Sequence, residues 1–156
     1  MKKIIFLCLV LLGIVGCTQM PVIEREPIVS ITKESKIATF KVTDLGRNTI
    51  YGTLKNETGD VVEIVWKDSS LNNSRVFING QKYLEASTPM SNTIMAPFST
   101  VDVAISQADQ VHYVSGYGWD INNLKYPSNL VLKIKQNSKE EYSIFNIDAK
   151  VTEKTK

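Results

Sequence analysis

The sequence predicts an all-β domain: an antiparallel sandwich, with a small β-barrel as the alternative. Three observations carry that prediction. Apolar residues recur at every second position over several short runs, the signature of half-buried strands. Gly, Asn, Asp and Pro cluster between those runs, where strand-joining turns are needed. No window beyond residue 27 sustains the 3.6-residue period of an amphipathic helix.

The runs follow in order. Ile28 to Thr32 is rich in β-branched residues, which suit a pleated surface. Ile37 to Thr43 alternates, with Ala38, Phe40 and Val42 on one face. A turn over Asp44 to Asn48 leads to a strand from Thr49 to Lys55 carrying Ile50 and Leu54. Asn56 to Asp60 reads as a second turn. Val61 to Lys67 alternates most clearly, with Val62, Ile64 and Trp66 inward, so the runs flanking residues 56 to 60 predict a hairpin. Asp68 to Ser74 reads as a polar loop. Arg75 to Ile78 and Gln81 to Ala86 flank Asn79-Gly80, a pair that favours a type I′ turn because both residues tolerate positive φ.

Pro89 and Pro97 punctuate the next loop, and Ser99 to Ser106 alternates through Val101, Val103 and Ile105. Residues 107 to 129 are aperiodic, apart from a short strand over Val111 to Val114. Alternation returns from Asn129 to Lys135 through Leu130, Leu132 and Ile134. Glu141 to Val151 closes the domain, with Phe145, Ile147, Ala149 and Val151 on one face.

Ahead of this domain, Lys2 and Lys3 precede an apolar run from Ile4 to Val15, then Gly16 and Cys17. A basic start, an apolar stretch and a small residue before the cut make a secretory signal peptide. Ile4 to Gly16 is 13 residues, short of the roughly 20 that span a bilayer. Ile14-Val15-Gly16-Cys17 resembles the lipobox of bacterial lipoproteins, with isoleucine where that family most often has leucine. The resemblance implies that the Cys17 thiol is alkylated with diacylglycerol and that Cys17 becomes the acylated, palmitate-bearing N-terminus. It implies attachment to the cell membrane or outer membrane, outside the cytoplasm. Thr18, rather than aspartate, follows the cysteine, which in Gram-negative lipoproteins points to the outer membrane.

The expected division is a signal peptide over 1–16, a lipidated N-terminus and tether over 17–27, the β domain over 28–151 and a polar tail over 152–156. Pro21 and Pro27 bracket the tether, and nothing in it is periodic. Cys8 leaves with the signal peptide. With Cys17 acylated, no thiol remains for a disulfide, a thiolate nucleophile or a metal. Without Lys2 and Lys3, the 18 basic residues become 16 and match the 16 acidic ones. A neutral domain has no electrostatic drive toward nucleic acid, so the membrane is held through the N-terminal lipid.

The stretch from Asn56 to Trp66, Asn-x-Thr-Gly before an alternating strand, resembles immunoglobulin-like domains of small envelope lipoproteins. That resemblance implies an immunoglobulin-like sandwich and transfers no catalytic residue; the cysteine pair typical of immunoglobulin domains is absent.

Motifs for chemistry are sparse. His112 is the only histidine, and without cysteine partners it makes no zinc site; it reads as a surface histidine. Neither H-E-x-x-H nor Gly-x-Ser-x-Gly occurs, and Gly116-Tyr117-Gly118 lacks the helix and lysine of a phosphate cradle. No cofactor is implied. The candidate binding residues are Tyr113, Tyr117, Trp119 and Tyr126, set among Gly, Asn and Ser. Rigid amphipathic rings among small polar residues are the palette of adaptable binding loops. Trp119 and Tyr126 also suit a plug at the open end of the domain, where buried aromatics dominate small cores. The expected function is a non-enzymatic envelope lipoprotein that binds another envelope protein or a glycan. The alternatives are an envelope hydrolase or glycan-modifying enzyme using carboxylates assembled by the fold, and a lipoprotein that excludes a phage or conjugation machine.

Overall fold

The computed structural model describes residues 22–78, 90–116 and 118–154. The signal peptide, Cys17, the start of the tether, the Asn79-Gly80 turn, the strand expected over 81–86 and Tyr117 lie outside the described residues. The described chain is all-β and antiparallel.

The strands are β1 (Val22–Lys33), β2 (Ala38–Leu45), β3 (Ile50–Asn56), β4 (Val62–Ile64), β5 (Ser70–Leu71), β6 (Ser74–Ile78), β7 (Thr93–Met95), β8 (Thr100–Gln107), β9 (Val111–Val114), β10 (Gly118–Ile121), β11 (Ser128–Gln136) and β12 (Lys139–Lys154). Ten of them form one sheet in the order β1-β12-β11-β5-β6-β8-β3-β2, with β4 on β11 and β7 on β4. The two ends of that path, β1 and β2, lie beside each other. The sheet is therefore nearly closed on itself, in agreement with the barrel alternative. β9 and β10 form a separate hairpin.

Alternation decides what fills the interior. Leu130, Leu132 and Ile134 of β11 and Phe145 and Ile147 of β12 are buried, as are Val62, Ile64 and Trp66. From the other half come Phe40, Ile50, Leu54, Val103, Ile105, Val76 and Ile78. Phe40 and Phe145 meet edge to face, with ring centroids 5.5 Å apart. Trp66 sits in a 3-10 turn over Trp66–Asp68 rather than in a strand, and its indole Nε1 donates to Thr93 Oγ1 at 2.8 Å. Buried aromatics with a polar handle need such a partner.

Several local expectations are corrected. The runs flanking 56–60 do not form a hairpin: β3 pairs with β2 and β8, and β4 with β11 and β7. The buried Asn56 turns this segment into a corner between different parts of the sheet. Its Nδ2 donates to the carbonyls of Asp60 (2.7 Å) and Ala96 (2.9 Å), and its Oδ1 accepts from the Thr58 N–H and hydroxyl. The loop expected over 68–74 contains β5 and a two-residue turn at Asn72 and Asn73, both with positive φ. Asparagine tolerates that region, so the pair supplies the I′-like turn that closes β5 on β6.

The tether expected over 17–27 ends earlier, because β1 begins at Val22 and residues 22–27 pair with 149–154 of β12. The tail expected over 152–156 is likewise paired as far as Lys154. Pro27 is tolerated because β1 is a sheet-edge strand, where a missing N–H need not break a ladder.

The last register partner of β11 on β12 is Ser128↔Ile147. Beyond it, 148–154 pairs only with 22–28, giving a two-stranded ribbon. At about 3.3 Å per residue its seven pairs extend about 23 Å. The barrel thus has a ribbon end, and an opposite turn end where Asn137 and Ser138 join β11 to β12.

Candidate functional site

Two surfaces stand out, one at each end of the barrel. At the ribbon end, the chain leaves β8 at Gln107, forms the β9–β10 hairpin and returns at Ser128. One backbone bond, Asn122 N–H to the Gln110 carbonyl, closes the base of the hairpin, and another, Leu124 N–H to the Arg47 carbonyl, ties the returning chain to the β2–β3 turn. Leu124 is buried and belongs to the core.

The candidate residues separate here. Tyr113 and Trp119 are direct register partners across β9 and β10, and His112 partners Asp120. The structure therefore joins two of the four candidate aromatics in one hairpin. Tyr126 is elsewhere: it is half-buried, packs against the core, and its hydroxyl reaches the Gly46 carbonyl at 3.4 Å. Burial pushes its phenol up to about 12, against the opposing charge of Arg25. Tyr126 thus packs against the core, apart from the Tyr113–Trp119 pair. Tyr117 lies outside the described residues, as do the side chains of His112, Tyr113 and Trp119.

At the turn end a second patch appears that the sequence did not reveal. Val61, Ile94 and Phe98 are 55%, 71% and 67% exposed. Ile94 lies on β7, an edge strand, opposite Glu63 of β4. The Phe98 N–H bonds to the Thr58 carbonyl, and its ring lies near Gly59. Phe98 has φ of 54°, a left-handed backbone that is strained for a bulky residue. Strained residues persist only where their surroundings over-determine them. The signal in the sequence was Pro97-Phe98, an aromatic placed in a proline turn, where alternation is silent.

A shallow groove of about 450 Å³ lies on the outer face of β2, β3 and β8, lined by residues that include Thr43, Tyr51, Thr53 and Asp102. Its carboxylate, Asp102, accepts from the Thr53 hydroxyl at 2.7 Å. A paired acid and base would require a second carboxylate across the groove; among the described residues of its lining, Asp102 is the one carboxylate. Among the described residues no cluster of three or more His, Cys, Asp or Glu is placed to hold a metal ion. No described helix is long and apolar enough to cross a membrane.

No protein family, no curated protein and no solved structure matches this chain.

Proposed function

We propose that the chain is a bacterial lipoprotein, anchored by lipid on Cys17 and displaying a non-enzymatic binding domain in the cell envelope. One observation carries the reading: the lipobox-like Ile14-Val15-Gly16-Cys17 stands five residues before Val22, where the first strand begins. Two or three acyl chains make a stable anchor, at about 0.8 kcal/mol per buried methylene. The fold then continues almost directly from the anchor.

In this reading the domain keeps the two facing layers of an immunoglobulin-like sandwich inside its nearly closed sheet. The inter-layer contact of Phe40 with Phe145 supports that view. The partner is another envelope protein or a glycan, gripped by the β9–β10 hairpin through Tyr113, Trp119 and Tyr117, with Tyr126 packed against the core rather than in the hairpin. A second reading moves the contact to Val61, Ile94 and Phe98, favoured by their exposure on an edge of the sheet.

Cys17→Ser tests the anchor: the variant is expected in the soluble fraction or as an unprocessed precursor. A processed, membrane-bound variant would refute it. Capture from cross-linked cells with Trp119→Ala and Phe98→Ala, scaled to folded protein, separates the two faces. The variant that loses partner marks the face in use, and undiminished capture by both refutes both faces.

A further inference from the structure

We propose that the ribbon end of the barrel faces the bilayer, with Ile23 and Val151 seated in its headgroup region. The inference rests on the lipid anchor argued above. Five residue steps separate Cys17 from Val22, and a fully extended chain covers at most about 3.3–3.6 Å per residue. The ribbon tip therefore stays within about 18 Å of the Cys17 Cα, less than the thickness of a bilayer's hydrocarbon core at about 30 Å.

The ribbon carries apolar side chains where the barrel has none to meet them. Register places Ile23, Arg25, Pro27 and Val29 of β1 on the same face as Val151, Ala149 and Ile147 of β12. That face is the core face. Within the barrel it buries Phe145 and Ile147, and Ala149 still packs against the core. Along β1 the same face is open even beside the barrel, with Val29 and Ile31 exposed opposite the buried Ile147 and Phe145, and at the tip Ile23 and Val151 are 46% and 57% exposed. They are diagonal neighbours across the ribbon, since Ile23 pairs with Glu153 and Arg25 with Val151.

Charge is present on this face and nearly cancels: Arg25 stands opposite Val151, and Glu153 opposite Ile23. Residues 22–28 and 148–154 hold Glu24, Glu26, Asp148 and Glu153 against Arg25, Lys150 and Lys154. So near a balance gives no pull toward anionic lipid, and the contact is apolar. One consequence reaches the candidate site. The β9–β10 hairpin is tied to the same end through Leu124 and Arg47, so it also turns toward the bilayer. A partner held by Tyr113 and Trp119 must then approach at the membrane surface.

The mature chain offers a clean test. Cys8 leaves with the signal peptide and the Cys17 thiol is alkylated, so one introduced cysteine is the only free thiol. Val151→Cys and Phe98→Cys, made in the full-length lipidated protein, are labelled with an environment-sensitive fluorophore. Each is reconstituted into zwitterionic vesicles whose headgroups carry a quencher. The label at 151 is expected to be quenched several-fold more strongly than the label at 98, and replacing a third of the lipid with an anionic species should change that ratio less than twofold. Equal quenching at both sites, or stronger quenching at 98, overturns the orientation. Energy transfer between labels at 151 on separate copies, with no quenching by lipid, assigns the tip to a self-interface and also overturns it. The intact mass is read first. A mass without diacylglycerol removes the anchor and the orientation together, whereas a lipidated mass with flat quenching removes the orientation alone.

Discussion

Phe40 occupies the space that a side chain on Gly52 would need: a Cβ there would lie 2.3 Å from Phe40 Cε2 and 2.8 Å from the Lys41 carbonyl. The ring cannot step aside freely, because it is buried and meets Phe145 edge to face. Gly52→Ala is therefore expected to destabilise the fold by at least the 1–3 kcal/mol typical of overpacking, about 3 kcal/mol. Phe40→Leu in the same chain should recover part of the loss, because it vacates the overlapping atoms. Denaturant melts of the two single variants and the double variant read the coupling. Additive losses would show that the ring does not set the requirement for glycine.

Ser35 and Glu141 fasten the connection between β1 and β2 to β12. The Ser35 hydroxyl donates to Glu141 Oε2 at 2.6 Å, the Lys36 N–H reaches the same oxygen at 3.1 Å, and Lys139 pairs with the other oxygen. The Lys139 ammonium, then the Ser35 hydroxyl, hold the Glu141 carboxyl down at about 2, from an ordinary value of 4.5. A carboxyl depressed in the folded state stabilises above its unfolded value and loses that contribution as pH falls through its folded one. Stability should thus decline between about pH 4.5 and 2, and Glu141→Gln should flatten that part of the profile while lowering stability at pH 7. Thermal melts across the range check both statements. Parallel profiles for the two proteins would dismiss the carboxylate.

Asn56 holds the corner that the sequence presented as a hairpin turn. Asn56→Ala leaves the Thr58 N–H and the Asp60 and Ala96 carbonyls without their side-chain partner. Each buried group left unpaired costs about 1–3 kcal/mol, so a loss of about 3 kcal/mol is expected. Asn56→Asp keeps the acceptor for Thr58 but removes the donor to both carbonyls, and it should recover little. Urea melts compare the three. An alanine variant as stable as the parent would mean that the loop holds its own shape.

The difference between corner and hairpin shows where sequence reading stops. Period-two alternation marked Leu130, Leu132, Ile134, Phe145 and Ile147 as inward, and all are buried. It reports only which face is apolar, and it gives no partner strand. The Asn56–Asp60 segment carries turn residues whether the chain doubles back or crosses to another part of the sheet. Val151 kept phase with Phe145 and Ile147, yet it is exposed because the ribbon outruns the core. At the candidate site, the aromatic stretch was visible as composition. That Tyr126 packs against the core, while Tyr113 and Trp119 pair, follows from the path of the chain, which no local pattern encodes. Phe98 stayed hidden because exposure in a proline turn depends on what the rest of the fold brings near it.

Trp66 and Trp119 should respond oppositely to truncation. Trp66 is buried in the core, and its indole N–H is satisfied by Thr93. Trp66→Ala removes a large buried ring and leaves the Thr93 hydroxyl without its donor, a loss of about 3–5 kcal/mol. Against a domain stability of about 5–15 kcal/mol, that can unfold the protein outright. Trp66→Phe keeps much of the volume and loses the hydrogen bond, so it should fall between alanine and the parent. Trp119 stands in a hairpin outside the ten-stranded sheet. Trp119→Ala is expected to move the melting temperature by only a few degrees and to cut partner capture sharply, since binding hot spots are enriched in Trp and Tyr. Melting curves for the three variants, with capture scaled to the folded fraction, read both effects from the same samples. A stability loss from Trp119→Ala as large as that from Trp66→Ala would make Trp119 a plug rather than a binding residue. The binding face would then pass to Val61, Ile94 and Phe98 at the other end of the barrel.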